Sequence, residues 1–347
     1  MTATTPAGAA ASASDPVEPA LRVQDLRVRY SSRRRGVADV RAVDGVSFEI
    51  AKGEVLALVG ESGCGKTSIA RAVMRLVEPS GGKVEMLGRD ITHLSARALR
   101  PFRSDFQMVF QDPYESLDPR QTVFDLVAEP LSIHRRAKEP AARRDAVYGA
   151  LRRAGLQPPE EIALRHPHHL SGGQRQRVAI AAAMVLEPSL IVADEPVSML
   201  DVSLRAGILR LMLELRELRD LAYLFITNDL SLAWVVADRI AVVYLGRIVE
   251  LGTAAEVIGS PQHPYTKALV SVIPVPQAGA STAQILLSGE TPSARKIPQG
   301  CRFHPRCWRF EALDRPAPCT TQDVALGPEA HASACHFPLT DQMEGAP

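Results

Sequence analysis

The sequence has little charge imbalance, few aromatics, little lysine and no long apolar run. Its 40 Lys and Arg against 39 Asp and Glu leave a formal net charge of +1. That excludes the global basic field which nucleic-acid binders usually carry. The most apolar stretches, residues 178–186 and 190–193, are interrupted by Glu187, Pro188, Asp194 and Glu195. Neither approaches the roughly 20 apolar residues of a membrane-spanning helix. Residues 1–20 are rich in Ala, Thr, Ser and Pro and lack a basic segment followed by an apolar core. They read as a disordered leader and not as a secretory signal. These absences predict a cytosolic chain whose membrane role, if any, runs through a partner. Cysteine is missing from most of the chain. Cys64 stands alone, and Cys301, Cys307, Cys319 and Cys335 fall in the last 47 residues. In a reducing compartment such clustering points to a metal site more than to disulfides.

What is present is a strand–helix–strand rhythm. Leu21-Arg22-Val23, Leu26-Arg27-Val28-Arg29-Tyr30 and Val46-Ser47-Phe48-Glu49-Ile50 alternate apolar and polar residues and predict short strands. Val55-Leu56-Ala57-Leu58-Val59 is continuously apolar, as a strand covered on both faces should be. A helix is predicted over residues 66–76. Further strands follow at residues 190–193 and 222–226, with a helix over 204–219 between them. Residues 240–244 and 247–250 read as a hairpin around Leu245-Gly246. From about residue 112 to 187 the pattern is helical over 126–134, 141–154 and 174–186, with Pro130, Pro140, Pro158, Pro159 and Pro167 as breaks. The fold class is therefore α/β with a largely parallel sheet and a helical insertion. Beyond residue 259 proline becomes frequent and periodicity fades, so a boundary is placed near Ser260.

Two stretches carry chemistry on their own. Gly60-Glu61-Ser62-Gly63-Cys64-Gly65-Lys66-Thr67 fits the phosphate-loop pattern G-x-x-x-x-G-K-[ST]. Its glycines let backbone N–H groups curl around phosphates while the following helix points its positive end at them. Lys66 is then expected to reach the β- and γ-phosphates and the Thr67 hydroxyl to hold Mg²⁺, with Ser68 next in the ATP-binding set. Cys64 inside the loop reads as a small tolerated side chain. The second stretch is the apolar strand ending in Asp194-Glu195. Asp194 is placed to bind Mg²⁺, and Glu195 to polarise the attacking water.

Leu170-Ser171-Gly172-Gly173-Gln174 has the form of the signature of ABC ATPases, and the chain resembles that family from about residue 21 to 257. The resemblance implies that Ser171, Gly172, Gly173 and Gln174 face the γ-phosphate held by a second ATPase subunit. It implies Tyr30 as the adenine-stacking aromatic and Gln111, in Phe110-Gln111-Asp112-Pro113, as the Q-loop residue that also approaches Mg²⁺. Ser198-Met199-Leu200-Asp201 is similar to the D-loop. One position departs from the pattern. The family has His at the switch, and this sequence has Asn228, which can donate a hydrogen bond but cannot carry charge or relay a proton.

The run from Val109 through Phe110-Gln111-Asp112-Pro113 to Ser116-Leu117-Asp118-Pro119-Arg120 is similar to the ATPases of oligopeptide/dipeptide importers. So is His263-Pro264-Tyr265-Thr266-Lys267-Ala268-Leu269 followed by Ile273-Pro274-Val275-Pro276. The resemblance implies a P-loop core with an antiparallel β edge, a helical subdomain over about 112–187, and a small cysteine-containing extension over 261–347. It implies hydrolysis of ATP to energise peptide uptake. The partners would be a second ATPase subunit in a heterodimer, two permease subunits and an extracellular solute-binding protein, with no nucleic acid. The chain would sit on the cytoplasmic face of the inner membrane through the permeases. A nickel or other-solute importer of the same group, a non-transport ABC ATPase, and a subunit that binds ATP without hydrolysing it are the alternatives.

The tail cysteines are spaced C-x₅-C-x₁₁-C-x₁₅-C, unlike the paired CxxC of a zinc ribbon. Four thiolates suit Zn²⁺ or an iron–sulfur cluster. The resemblance implies a [4Fe–4S] cluster on Cys301, Cys307, Cys319 and Cys335. Zinc and unligated thiols remain open, and His304, His331 and His336 are possible substitute ligands.

Overall fold

The computed structural model describes residues 18–31, 38–273 and 284–339. Most of the predicted leader, residues 1–17, and Pro274-Val275-Pro276 lie outside them. Eleven strands form among the described residues: β1 (Leu21–Tyr30), β2 (Val40–Ile50), β3 (Val55–Val59), β4 (Gly81–Met86), β5 (Arg89–Asp90), β6 (Phe106–Val109), β7 (Leu190–Asp194), β8 (Ala222–Thr227), β9 (Arg239–Tyr244), β10 (Arg247–Thr253) and β11 (Ala332–Ser333).

A seven-stranded sheet runs β11-β10-β9-β3-β8-β7-β6. The five strands from β9 to β6 are parallel, and β10 and β11 continue the sheet antiparallel. The period-2 geometry of β3 explains its unbroken hydrophobicity. Val55, Ala57 and Val59 join a core with the helical block, while Leu56 and Leu58 join a core on the opposite face. That second core is roofed by the antiparallel sheet β2-β1-β4-β5 and the helix Lys66–Val73. Both faces of the parallel sheet are thus covered, as a parallel sheet requires.

Several sequence expectations change in detail. The two short strands at residues 21–30 are one strand, because a bulge absorbs the break in alternation. The register shifts between Val23 and Leu26, and Asp25 takes a left-handed conformation with φ 46°. The prolines mostly begin helices instead of breaking them. Pro140 opens Pro140–Arg153 and Pro159 opens Pro159–Ala163, where a missing N–H costs nothing. Pro130 lies inside Val123–Ile133, which runs on past it. The longest helix starts two residues early, at Val202–Glu217, after Asp201 as its N-cap residue.

The chain beyond Ser260 returns to the main body. Its β11 pairs with β10 through Glu250 opposite Ser333 and Leu251 opposite Ala332. Glu250, fully buried, accepts hydrogen bonds from the backbone N–H groups of Gln262 and His263 at 2.8 Å each and pairs with His331 at 2.8 Å. Phe303 from the tail stacks edge-on or tilted with Tyr244 and Tyr265, with ring centroids 5.2 and 5.3 Å away. All three rings are fully buried, and each such pair contributes about 0.5–1.5 kcal/mol beyond the area it covers. No helix among the described residues is long and apolar enough to cross a membrane.

Candidate functional site

Parallel strands deliver their chemistry at their carboxyl ends, and four neighbours do so here. β3 ends at the phosphate loop, β6 at Gln111, β7 at Asp194 and Glu195, and β8 at Asn228. A pocket of about 360 Å³ opens at this edge, lined among others by Tyr30, Ser62, Gly63, Gly65, Lys66, Thr67, Ser68, Gln111, Glu195 and Asn228.

The loop needs its glycines. A Cβ on Gly60 would lie 2.2 Å from the carbonyl oxygen of Val243, and one on Gly65 would lie 2.4 Å from that of Ala42. Gly65 also holds φ 112°, which L side chains avoid. Lys66, almost fully buried, donates from Nζ to the carbonyls of Gly60 at 2.7 Å and Glu61 at 3.0 Å, and to Oδ1 of Asn228 at 2.6 Å. Cys64 is buried, its thiol pushed up mainly by that burial. Tyr30 stands half-exposed at the rim, its hydroxyl 3.3 Å from Ser68 Oγ.

The carboxylates are treated differently. Asp194 is buried, and burial with the neighbouring Glu195 charge pushes its carboxyl up; the Thr67 hydroxyl donates to it at 3.3 Å. A buried carboxylate whose one short partner is a hydroxyl suits a divalent cation, so the residues fit Mg²⁺. Glu195 takes φ 48°, a left-handed turn that directs its side chain away from the strand end into the pocket. Its oxygens are held on both sides. Gln111 Nε2 donates to Oε2 at 3.0 Å, and Asn228 Nδ2 donates to Oε1 at 2.5 Å. Asn228 therefore spans the site, accepting from the Lys66 ammonium and donating to the Glu195 carboxylate. The order of its amide atoms follows the charges on either side.

Ser171, Gly172, Gly173 and Gln174 do not line this pocket. They open the helix Gly172–Met184 through a capping box, with Gln174 N–H donating to Ser171 Oγ at 3.3 Å and Ser171 N–H donating to Gln174 Oε1 at 3.0 Å. Leu200 and Leu204 lie against the two glycines, so the signature and the stretch around the exposed Asp201 share one surface.

The expected metal site on the tail cysteines is not assembled among the described residues. Their thiols feel one another: burial, followed by smaller contributions from the other cysteines, pushes Cys301 up to about 11 and Cys335 to about 12. Yet among the described residues no group of three or more His, Cys, Asp or Glu side chains stands as a metal-holding set. The histidines offered as substitutes are engaged. His331 pairs with Glu250, His304 Nδ1 lies 2.8 Å from the Cys301 carbonyl, and His336 Nε2 lies 2.9 Å from that of Gln322.

Sequence reasoning missed contacts that bring the tail to the site. Ala294 lines the pocket, and Tyr265, Thr291 and Arg306 bond to Glu61 of the phosphate loop. No local pattern marks them, because the contact is made across more than 200 residues.

The family profile for ABC transporters matches residues 43–198, and that for the oligopeptide/dipeptide transporter C-terminal region matches residues 249–312. The oligopeptide transport ATP-binding protein AppF of Bacillus subtilis is 46% identical over 327 residues, 92% of this chain and 98% of AppF. The di/tripeptide transport ATP-binding protein DppF of Pseudomonas aeruginosa is 45% identical over 294 residues, 84% of this chain and 90% of DppF. Among solved structures, the ATP-binding cassette MJ0796, a dimer bound to ADP and Pi in a post-hydrolysis state, superposes with a TM-score of 0.61 at 28% identity. That match covers 67% of this chain and 98% of the cassette. The phosphate loop, the paired carboxylates and the signature fall within the first profile and residues 249–312 within the second, and with the relatives' identity the chain belongs to the ABC transporter ATPases, as an ATP-hydrolysing subunit of the oligopeptide/dipeptide transporter group.

Proposed function

We propose that this subunit hydrolyses ATP at the carboxyl edge of its parallel sheet and thereby drives import of di- or oligopeptides through permease partners. The convergence of Lys66, Glu195, Gln111 and Asn228 on one pocket carries the reading. Lys66 and the backbone N–H groups of Gly63, Cys64, Gly65 and Thr67 bind the triphosphate, and Tyr30 stacks on the adenine. Mg²⁺, held by Thr67, Asp194 and Gln111, would neutralise charge on the phosphates. Glu195 orients the water and takes its proton, and the amides of Gln111 and Asn228 fix the carboxylate in place. The signature and Asp201 complete the site of a second subunit across a head-to-tail interface, which the shared surface around Leu200 and Leu204 supports. The division into a leader (1–20), a nucleotide-binding domain (21–260) and a C-terminal region (261–347) belongs to the same reading.

The names of the relatives support peptides as cargo, delivered by an extracellular solute-binding protein to two permeases with the ATPases on the cytoplasmic face. Asn228 supports a heterodimer, since the site built on this chain's loop lacks the histidine while the partner's loop would face an intact signature. A [4Fe–4S] cluster in the tail, with zinc as the alternative, rests on the presence of four cysteines there and on the influence of Cys301, Cys307 and Cys319 on the Cys335 thiol. No step of hydrolysis runs through it. The test of the function is ATP turnover of the subunit purified with its permeases in lipid, with and without binding protein and peptide. Turnover that peptide-loaded binding protein leaves unchanged would sink the import reading.

A further inference from the structure

Glu61 sits inside the phosphate loop, yet its carboxylate does not face the pocket. Arg306 Nη1 donates to both of its oxygens, at 3.1 and 3.0 Å, and the Thr291 hydroxyl donates at 2.6 Å. Every other polar group of the residue is also engaged. Its N–H donates to the Tyr265 hydroxyl at 3.0 Å, and its carbonyl accepts from Lys66 Nζ at 3.0 Å. Arg306 is itself buried, and it also donates from Nε to the Ser288 carbonyl at 3.4 Å and from Nη1 to Thr291 Oγ1 at 3.1 Å. It lies between Cys301 and Cys307, on the turn whose Phe303 packs against Tyr265.

A carboxylate in a loop that takes a polyanion is an electrostatic liability. Unpaired, it would repel the triphosphate and compete for the Lys66 ammonium. We infer that Arg306 is a positioning residue for nucleotide binding: it neutralises Glu61 and draws the carboxylate to the tail side, so that no side-chain carboxylate of the loop competes with phosphate for the Lys66 ammonium, which rests on the carbonyls of Gly60 and Glu61 and on Asn228. The inference rests on the phosphate-loop reading given above. It makes the C-terminal region a working part of the nucleotide site, joined to Lys66 through Glu61, whose carboxylate Arg306 holds and whose carbonyl Lys66 meets. The pair is only partly shielded from water, Arg306 being 9% and Glu61 29% exposed at the side chain, so its effect is moderate.

The experiment is calorimetric titration of the full chain with MgATP. Arg306→Ala should raise Kd about tenfold, more at low salt than at high, and Arg306→Lys should raise it less. Adding Glu61→Gln to Arg306→Ala should bring Kd back to within about threefold of the unaltered chain, because the repelling charge has gone. A merely structural Arg306 would give no such recovery, so a double variant as weak as Arg306→Ala overturns the inference. So does Arg306→Ala binding as tightly as the unaltered chain. Should Arg306→Ala not fold, Arg306→Lys carries the same test, alone and with Glu61→Gln. Lys66→Ala serves as the control: unchanged binding there would mean that ATP does not use this loop, and the site reading would fail instead.

Discussion

Removing the carboxamide of Asn228 should slow hydrolysis at this subunit's own site by about 10²-fold. Asn228→Ala deletes two hydrogen bonds to charged groups, one from the Lys66 ammonium at 2.6 Å and one to the Glu195 carboxylate at 2.5 Å. Bonds of that kind contribute about 1.5–3 kcal/mol each, although water entering the half-open pocket recovers part of both. Glu195 also remains tethered by Gln111 at 3.0 Å. A net loss of about 2.7 kcal/mol corresponds to two decades of rate. The replacement Asn228→His should act in the other direction. Neutral imidazole can accept from Lys66 and donate to Glu195, and it adds the proton relay that an amide lacks. The gain should fall at or below the low end of the about 10²–10³ typical of one well-placed donor, because Asn228 already supplies part of the contact. It should also grow as pH rises through about 6.5, since imidazolium would oppose Lys66. The assay is ATP turnover of the assembled transporter with the partner's catalytic glutamate inactivated, so that this site alone is read. Equal rates for Asn228, Ala and His would refute the bridging role, and with it the asymmetry between the two sites.

Lys66→Ala and Glu195→Gln should each leave almost no turnover at this site, while Glu195→Gln still binds ATP; filter binding with labelled ATP checks both, and normal hydrolysis in either contradicts the assigned roles. Anaerobically purified protein should be brown and contain iron and sulfide if the tail holds a cluster; a colourless protein with stoichiometric zinc and no iron rules it out. Burial pushes His263 down to about 4, so the unfolded chain binds a proton near 6.5 that the folded chain refuses. Stability should therefore fall as pH drops from about 6.5 toward 4, by up to about 3 kcal/mol from this residue. His331, pushed up by Glu250, works in the opposite sense: its contribution is full at low pH and fades as pH rises. Urea unfolding at pH 7.5 and 5 isolates the His263 share by comparison with His263→Gln, and identical pH dependence in the two chains would dismiss it.

Much of the site is legible in the sequence because its parts are local. Gly60 through Thr67 is one loop, Asp194 and Glu195 end one strand, and Ser171 with Gln174 is a capping box as well as a signature. What escapes is whatever the fold decides at long range. The bulge at Asp25 fuses two apparent strands because pairing on both sides, to β2 and β4, holds the chain in line. The left-handed turn at Glu195 has no residue signal, since glycine is the usual marker and glutamate is not. The amide clamp on Glu195 joins positions 84 and 33 residues away, and Arg306 reaches Glu61 across 245. The tail's cysteines carry a sequence signal in their spacing, while the arginine between them carries none.

The two-residue strand β11 has a consequence for how the chain is made. It covers Glu250 and Leu251 on β10, which would otherwise end the main sheet with its backbone groups open on that side. Some 80 residues separate the two strands in the sequence. At ribosomal speeds of about 5–20 residues per second, β10 leaves the exit tunnel on the order of ten seconds before its cover leaves it. During that interval the nascent chain offers a template for pairing with a neighbour. A polypeptide truncated before Ala332 keeps that edge permanently, so solubility depends on a segment translated long after the sheet it protects.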